Sequence, residues 1–307
     1  MPAKLLVFTA DAAAEGRTLA AGLHRMGEMS NALAKGLVSH GLVRVNGRVV
    51  REPAQRLTAG DQVEARFDPQ TRYPEERKTR QQPSGFKVIL EDDDFVVVEK
   101  EAGLLTVPAP THPGDTLIDR LLAHYAGRGF KSPKLWVVHR IDRFTSGLVL
   151  FARAEDAAEA LVDQFERRHP RREYLAICTG APNPAEGKLE SWLTENPKSL
   201  KVSETRDHRK GQRAILSYRI EERLAGACLV RVTLETGRRN QIRVQMAGAG
   251  HPLIGDRTYG TPSPLIPRVA LHAARLGFLH PRTLRQVRVE TPLPDDMRRL
   301  LRRLRKA

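Results

Sequence analysis

Apolar and polar positions change their period several times along the chain, and each change predicts an element. Leu19, Leu23 and Met26 follow Arg17-Thr18 at helical spacing, which predicts a first helix. Ser30 and Asn31 are N-cap residue types, and Leu33, Leu37 and Val38 mark the inward face of a second helix that Gly41 stops. The pattern then shortens to period two. Leu42 to Val50 alternates around Asn46-Gly47, a two-residue hairpin signal, and Asp61 to Arg66 supplies another strand. From Asp68 to Gly85 the periodicity stops. This stretch is polar, contains Pro69, Pro74 and Pro83, and reads as a linker.

A longer alternating region follows. Val88-Ile89-Leu90 and Phe95 to Val98 predict two strands about the Asp92-Asp93-Asp94 turn. Thr116 caps a helix with Leu117, Leu121 and Leu122 inward. Leu135 to Val138 and Leu148 to Phe151 predict strands on either side of a charged loop. Glu155 to His169 is amphipathic, with Ala158, Leu161, Val162 and Phe165 on one face. Further strands are predicted over Glu173–Cys178, Ala214–Glu221, Cys228–Glu235 and Ala270–His280. From Asp295, Met297, Leu300, Leu301 and Leu304 recur at helical spacing among arginines. The boundaries expected are 1–67 for a small first domain, 68–85 for the linker, 86–294 for a larger α+β domain and 295–307 for a basic amphipathic tail.

Composition narrows the class. The chain has 307 residues, enough for two domains, and none of its apolar runs is long enough to span a bilayer. Leu5 to Phe8 is too short, and Asp11 and Glu15 too acidic, for a secretory signal, so a cytoplasmic protein is expected. Cys178 and Cys228 lie in apolar strand-like runs, which suits buried free thiols. The ten histidines show no ligand spacing, so no metal site is expected. The net charge of +15 and pI near 10.3 point to a polyanionic partner, nucleic acid before membrane. The excess peaks between Arg282 and Ala307, with nine Lys/Arg against three Asp/Glu.

Candidate chemistry concentrates in His139-Arg140-Ile141-Asp142-Arg143-Phe144-Thr145-Ser146-Gly147-Leu148. A carboxylate between two arginines at a strand end is either a solvated turn with an ion pair or an aimed nucleophile or base. The string resembles the H-R-(L/I)-D-x-x-T-S-G-L loop of the RluA-type RNA pseudouridine synthases. Four later strings resemble that family in the same order: Arg172-Glu173-Tyr174-Leu175-Ala176; Thr236-Gly237-Arg238 through Gln241-Ile242-Arg243-Val244; Gly250-His251-Pro252-Leu253-Ile254-Gly255-Asp256; and Leu271-His272-Ala273 with Leu276 to Pro281. Residues 1–67 resemble the S4 RNA-binding domain through R-x-L, S-x-x-L-x-K-G-L-V and V-x-V-N-G-x-V-V.

The resemblance implies a catalytic domain built on a mixed, mainly antiparallel sheet with flanking helices. It implies isomerisation of uridine in structured RNA, in which the C1′–N1 bond breaks, the base rotates and C5 is joined instead. No cofactor is implied. Asp142 is the implied catalytic nucleophile or base; attack at C1′, attack at C6 and proton abstraction from the ribose are all open to it. Arg243 is its implied ion-pair partner, although the residues alone also suit an ordinary strand arginine facing solvent. Tyr174 is implied to stack on the target base, and Arg140 to wedge into the space the flipped uridine leaves. Ile242 is expected to line the apolar floor, with core packing the equal alternative, and Arg238 to bind phosphate or orient its loop. Asn240 and Gln245 stand where the family usually has histidines, which bears on positioning or substrate choice. Large-subunit ribosomal RNA acted on by a monomer is the favoured reading. Transfer RNA, or a non-catalytic RNA-binding or ribosome-assembly role on the same fold, are the alternatives.

Overall fold

The computed structural model describes residues 4–69, 71–73, 85–109 and 114–306. The chain divides into two compact units, Met1–Gln81 and Gln82–Ala307.

In the first unit, β1 (Lys4–Thr9) precedes α1 (Leu19–Met26) and α2 (Asn31–Ser39), followed by β2 (Val43–Val45), β3 (Arg48–Val50) and β4 (Gln62–Phe67). The helices begin where the caps predict: Thr18 accepts from the amide of Ala21, and Ser30 from that of Leu33. Asn46 and Gly47 both take positive φ, as a tight hairpin with right-handed twist requires. The sheet order is β1-β4-β2-β3. Leu19, Leu23, Leu37, Val38, Val63 and Ala65 form the core. Met26, expected inward, is 41% exposed, while Met29 is buried in its place. Tyr73 packs edge-on to Phe67 and His40, so the polar stretch expected as linker opens with a residue that belongs to this unit. Residues 70 and 74–84 of that stretch lie outside the described residues.

The second unit opens with β5 (Phe86–Glu91), β6 (Phe95–Lys100), α3 (Leu117–Gly127), β7 (Trp136–Val137), β8 (Ser146–Ala152), α4 (Glu155–Glu166) and β9 (Arg171–Thr179). It continues with β10 (Glu186–Glu195), β11 (Val202–Thr205), β12 (Gln212–Leu224), β13 (Ala227–Leu234), α5 (Gln241–Gly248), β14 (Leu271–Leu279), β15 (Gln286–Glu290) and α6 (Asp295–Leu304). One sheet runs β11-β10-β12-β13-β9-β14-β8-β6-β5, with β15 on β14 and β7 on β8. Only the β8–β14 pair is parallel among the described residues.

Alternation along the central strands sorts two faces. On β9, Tyr174, Ala176 and Cys178 join the largest apolar cluster, with Ile141 and Ile242. Ile177, pointing the other way, packs with Met297, Leu300, Leu301 and Leu304 of α6. Each such burial contributes about 1.5–3 kcal/mol, so the segment set apart as a basic tail is part of this unit's core, with its arginines outward. Cys178 and Cys228 stand opposite each other across β9 and β13 as buried thiols.

Candidate active site

The Asp142 loop leaves β7 and enters β8, and its backbone is tied down from several directions. Thr145 N–H donates to Asp142 O at 3.1 Å, closing the turn. Thr106 Oγ1 donates to Ile141 O at 2.9 Å. Gly103 N–H donates to Arg143 O, and Arg143 Nε returns a bond to Gly103 O. Arg143 therefore supports the loop. Arg268, clamped by Asp296 of α6 at 2.7 Å, extends Nη1 to Phe144 O at 3.4 Å. Ser146 Oγ bonds His272 Nδ1 at 2.9 Å. Gly147 lies at φ +115°, and a Cβ there would stand 2.6 Å from Ala273 N and closer still to Ala273 O. The close β8–β14 approach thus requires glycine at that position.

Beneath the loop, Lys100 is fully buried and donates Nζ to the carbonyls of Glu101, Leu104 and Arg143 at 2.9, 2.8 and 3.1 Å. Three acceptors match the three donors of an ammonium group. Burial pulls its pKa down to about 7, against the attraction of Asp142.

The opposite wall is a turn and a short helix. Thr236 Oγ1 donates to Gln241 Oε1 at 2.8 Å, the same oxygen accepts from Arg238 N–H, and Gln241 Nε2 donates to Ile215 O. These buried bonds fix the turn before α5. Asn240 takes φ +54° at its start. Ile242 and Arg243 then face the Asp142 loop from a helix, not from a strand.

Arg243 is shared. Its Nε and Nη2 each lie 2.7 Å from the buried Asp256 carboxylate, and Nη1 donates to Asn240 Oδ1 at 2.8 Å. Its guanidinium stands over the Tyr259 ring. Asp142 Oδ2 lies farther off, 3.7 Å from Nη1. Asp142 therefore has a cation close by without a direct hydrogen bond from it. Burial raises the Asp142 carboxyl above the ordinary aspartate range; Arg243, Arg140, Arg239 and Lys100 pull the other way. Its side chain keeps 28% exposure toward the cleft.

All six residues expected at the site line one cleft of about 540 Å³: Arg140, Asp142, Tyr174, Arg238, Ile242 and Arg243. Tyr174 is 7% exposed, and burial raises its phenol pKa. Arg140 is exposed, and Arg238 is half-buried with Nε on Arg213 O. His139 accepts from Leu150 N–H through Nε2, and burial drops its pKa to about 3, so it serves structure and not base chemistry. Asn240 orients Arg243 and also donates to Tyr259 Oη. Gln245 turns away from the cleft and donates to Ser191 Oγ and Ala214 O. Among the described residues, no cluster of His, Cys, Asp and Glu could hold a metal ion.

Lys100 and Asp256 were not singled out for roles from the sequence. Asp256 closes one of the motif strings and Lys100 ends β6, but nothing local reveals what they contact.

Residues 94–248 match the family model for RNA pseudouridylate synthase. The chain belongs to this family. Residues 18–63 match the S4 domain, in agreement with the helix pair and hairpin of the first unit. An RNA pseudouridine synthase of Bacillus subtilis, YlyB, is 37% identical over 88% of this chain and 88% of its own. Ribosomal large subunit pseudouridine synthase D of Zymomonas mobilis is 34% identical over 90% of each. The structure of human RNA pseudouridylate synthase domain containing 4 superposes with a TM-score of 0.61 over 74% of this chain and 95% of that one, at 23% identity, which speaks for the fold. The enzyme is thus an isomerase that converts uridine in RNA to pseudouridine. Among the described residues of this synthase, no helix is long and apolar enough to cross a membrane.

Proposed function

We propose that this synthase modifies large-subunit ribosomal RNA and that Asp142 is its catalytic nucleophile or base. The observation that carries the assignment is the placement of Asp142 in the cleft, 3.7 Å from an arginine whose shorter bonds go to Asp256 and Asn240. A nearby cation favours the ionised carboxylate, and a contact longer than a hydrogen bond leaves its lone pairs available for reaction. Tyr174 supplies a face on which a flipped uracil stacks, at about 1–3 kcal/mol by the usual range. Ile242 provides the apolar floor. Arg140, exposed at the rim, takes the place vacated by the flipped base, and Arg238 meets the backbone. The C1′–N1 bond breaks, the base turns on Tyr174, C5 bonds to C1′, the C5 proton leaves and N1 takes up a proton, so that substrate and product are isomers.

Support for ribosomal RNA comes from the 34% identical relative in Zymomonas mobilis, named for the large subunit, which aligns over both units of this chain. The test maps pseudouridines in ribosomal and transfer RNA from cells with and without the gene. Loss of defined sites in large-subunit RNA is expected. Loss confined to transfer RNA would sink the choice of substrate. In a tritium-release assay on 5-labelled RNA, Asp142→Asn is expected to be inactive, and full turnover by it removes Asp142 from the chemistry.

A further inference from the structure

Arg172 precedes Tyr174 by two residues on β9, so both side chains point to the face that carries the cleft, and both line it. Elsewhere in this unit, arginines near the loop are committed: Arg243 to Asp256, Arg268 to Asp296. Arg172 has no ion pair, and its buried Nε has no hydrogen-bond acceptor among the described residues. Buried polar donors are nearly always satisfied, so an unpaired one on a cleft-lining arginine marks a guanidinium not committed to a protein acceptor.

Two walls hold this guanidinium in place. It stands over the Phe165 ring at 5.6 Å, and Phe165 is itself stacked on His139 at 4.8 Å. On another side lies Gly237, where a Cβ would collide with Arg172 Nη1. Burial lowers the Arg172 pKa; Tyr174 opposes this, and the neighbouring Arg168 adds to it. The charged form is therefore held in a setting that an arriving anion would relieve. A neutral uracil carbonyl could satisfy the donor but not the charge.

We infer that Arg172, cradled by Phe165 and Gly237, is a binding residue for a phosphodiester of the RNA strand flanking the flipped uridine. A guanidinium fork matches two phosphate oxygens. The inference rests on the enzyme's action on RNA but not on which RNA. The assay uses whichever cellular RNA the wild-type enzyme modifies, so a wrong assignment to ribosomal RNA shows in the wild-type lane and leaves the test intact.

The experiment measures KM, kcat and salt dependence for wild type, Arg172→Gln, Arg172→Lys and Gly237→Ala. It includes a short RNA substrate with neutral methylphosphonates at the linkages flanking the target uridine. Arg172→Gln is expected to raise KM about tenfold or more, as loss of a charged hydrogen bond does. It is also expected to flatten the log–log salt slope by about 0.7–1, the share of one phosphate contact. Arg172→Lys keeps the charge and restores the slope. Gly237→Ala displaces the guanidinium tip and raises KM with the charge intact. On methylphosphonate RNA, wild type and Arg172→Gln are expected to converge. An unchanged KM, an unchanged salt slope, or an Arg172→Gln penalty that persists in full on methylphosphonate RNA overturns the inference. A loss confined to kcat, with a shifted alkaline limb, would instead make Arg172 a tuner of Tyr174 and also overturns it. If Arg172→Gln fails to fold, Gly237→Ala decides, since an unaltered KM there is equally fatal.

Discussion

Replacing Asp256 with asparagine is expected to loosen the fold and slow the reaction, for separable reasons. The Asp256 carboxylate accepts from Arg243 Nε and Nη2 at 2.7 Å each and from the amides of Thr258 and Tyr259 at 2.9 and 3.1 Å. Asparagine can keep Oδ1 on the two amides and on Arg243 Nη2, but its NH₂ then faces the Arg243 Nε donor. Losing that bond together with the carboxylate's charge at a buried pair costs about 3–5 kcal/mol. The freed Arg243 can move toward Asp142. At the present 3.7 Å and an effective dielectric of about 20, the attraction is about 4.5 kcal/mol; at contact, ~2.8 Å, it is about 5.9 kcal/mol. The extra ~1.4 kcal/mol stabilises the resting carboxylate and corresponds to about a tenfold slower step. The sign for pH follows: a closer cation favours the ionised form, so the acid limb moves to lower pH. The assay is single-turnover tritium release at saturating enzyme across pH, with the folded fraction set by a parallel melt. A folded variant with the full rate and an unmoved limb, or a limb displaced to higher pH, would refute the reasoning.

Asp142→Asn is expected to melt above wild type at neutral pH, because an acid whose pKa burial raises destabilises the fold when ionised. That gap closes as pH falls through the folded pKa toward the ordinary aspartate value of 3.8, and equal melts at neutral and acid pH would count against it. Lys100→Met removes the donors to Leu104 O and Arg143 O, so kcat is expected to fall. Its stability relative to wild type is highest below pH about 7, where wild type buries a full charge, and declines as pH rises toward 10.5; a pH-independent difference would show that Lys100 does not titrate in this window. Gly147→Ala is expected to cost about 3 kcal/mol or more through overpacking and positive-φ strain, read as a lower urea midpoint, and an unchanged midpoint would mean that β8 and β14 can separate freely.

What the sequence made legible was whatever a contiguous string encodes. The Asp142 loop, the Ser30 cap and the Asn46-Gly47 hairpin each depend on residues within a few positions of one another. The first strand, Lys4–Thr9, escaped because Leu5 and Val7 face outward at 56% and 62% exposure, which blurs the alternation. The helix α5 escaped for the opposite reason. Gln241, Ile242, Val244, Gln245 and Met246 are all buried, so polar and apolar positions show no stripe. Arg243 could therefore be read as a strand residue although it begins a helix. The Arg243–Asp256 pair spans 13 positions, and the Lys100–Arg143 bond spans 43. No local period reports such contacts; only the fold brings them together.

The distribution of charge around Asp142 follows from two demands that conflict. In the reactive role proposed for Asp142, a carboxylate in a cleft needs cations to stay ionised, yet a cation in direct contact would occupy the oxygens that role uses. Arg243 meets both by giving its short bonds to Asp256 and Asn240 and leaving a 3.7 Å gap to Asp142. Asparagine at 240 suits this division, since its carbonyl accepts from Nη1 while its amide holds Tyr259. A histidine there could accept from Arg243 or donate through one ring nitrogen, but its protonated form would add a charge beside the guanidinium. Lys100 contributes from behind without competing, because its ammonium is spent on backbone carbonyls. Among the described residues, Arg140, Arg168, Arg172 and Arg238 line the cleft without a carboxylate partner, which suits the proposed approach of a polyanion. The arginines in and around this cleft thus divide by their partners: Arg243 and Arg268 are held by carboxylates and Arg143 by a backbone carbonyl, while the cleft-lining ones outside those bonds are those the proposed RNA contact would use.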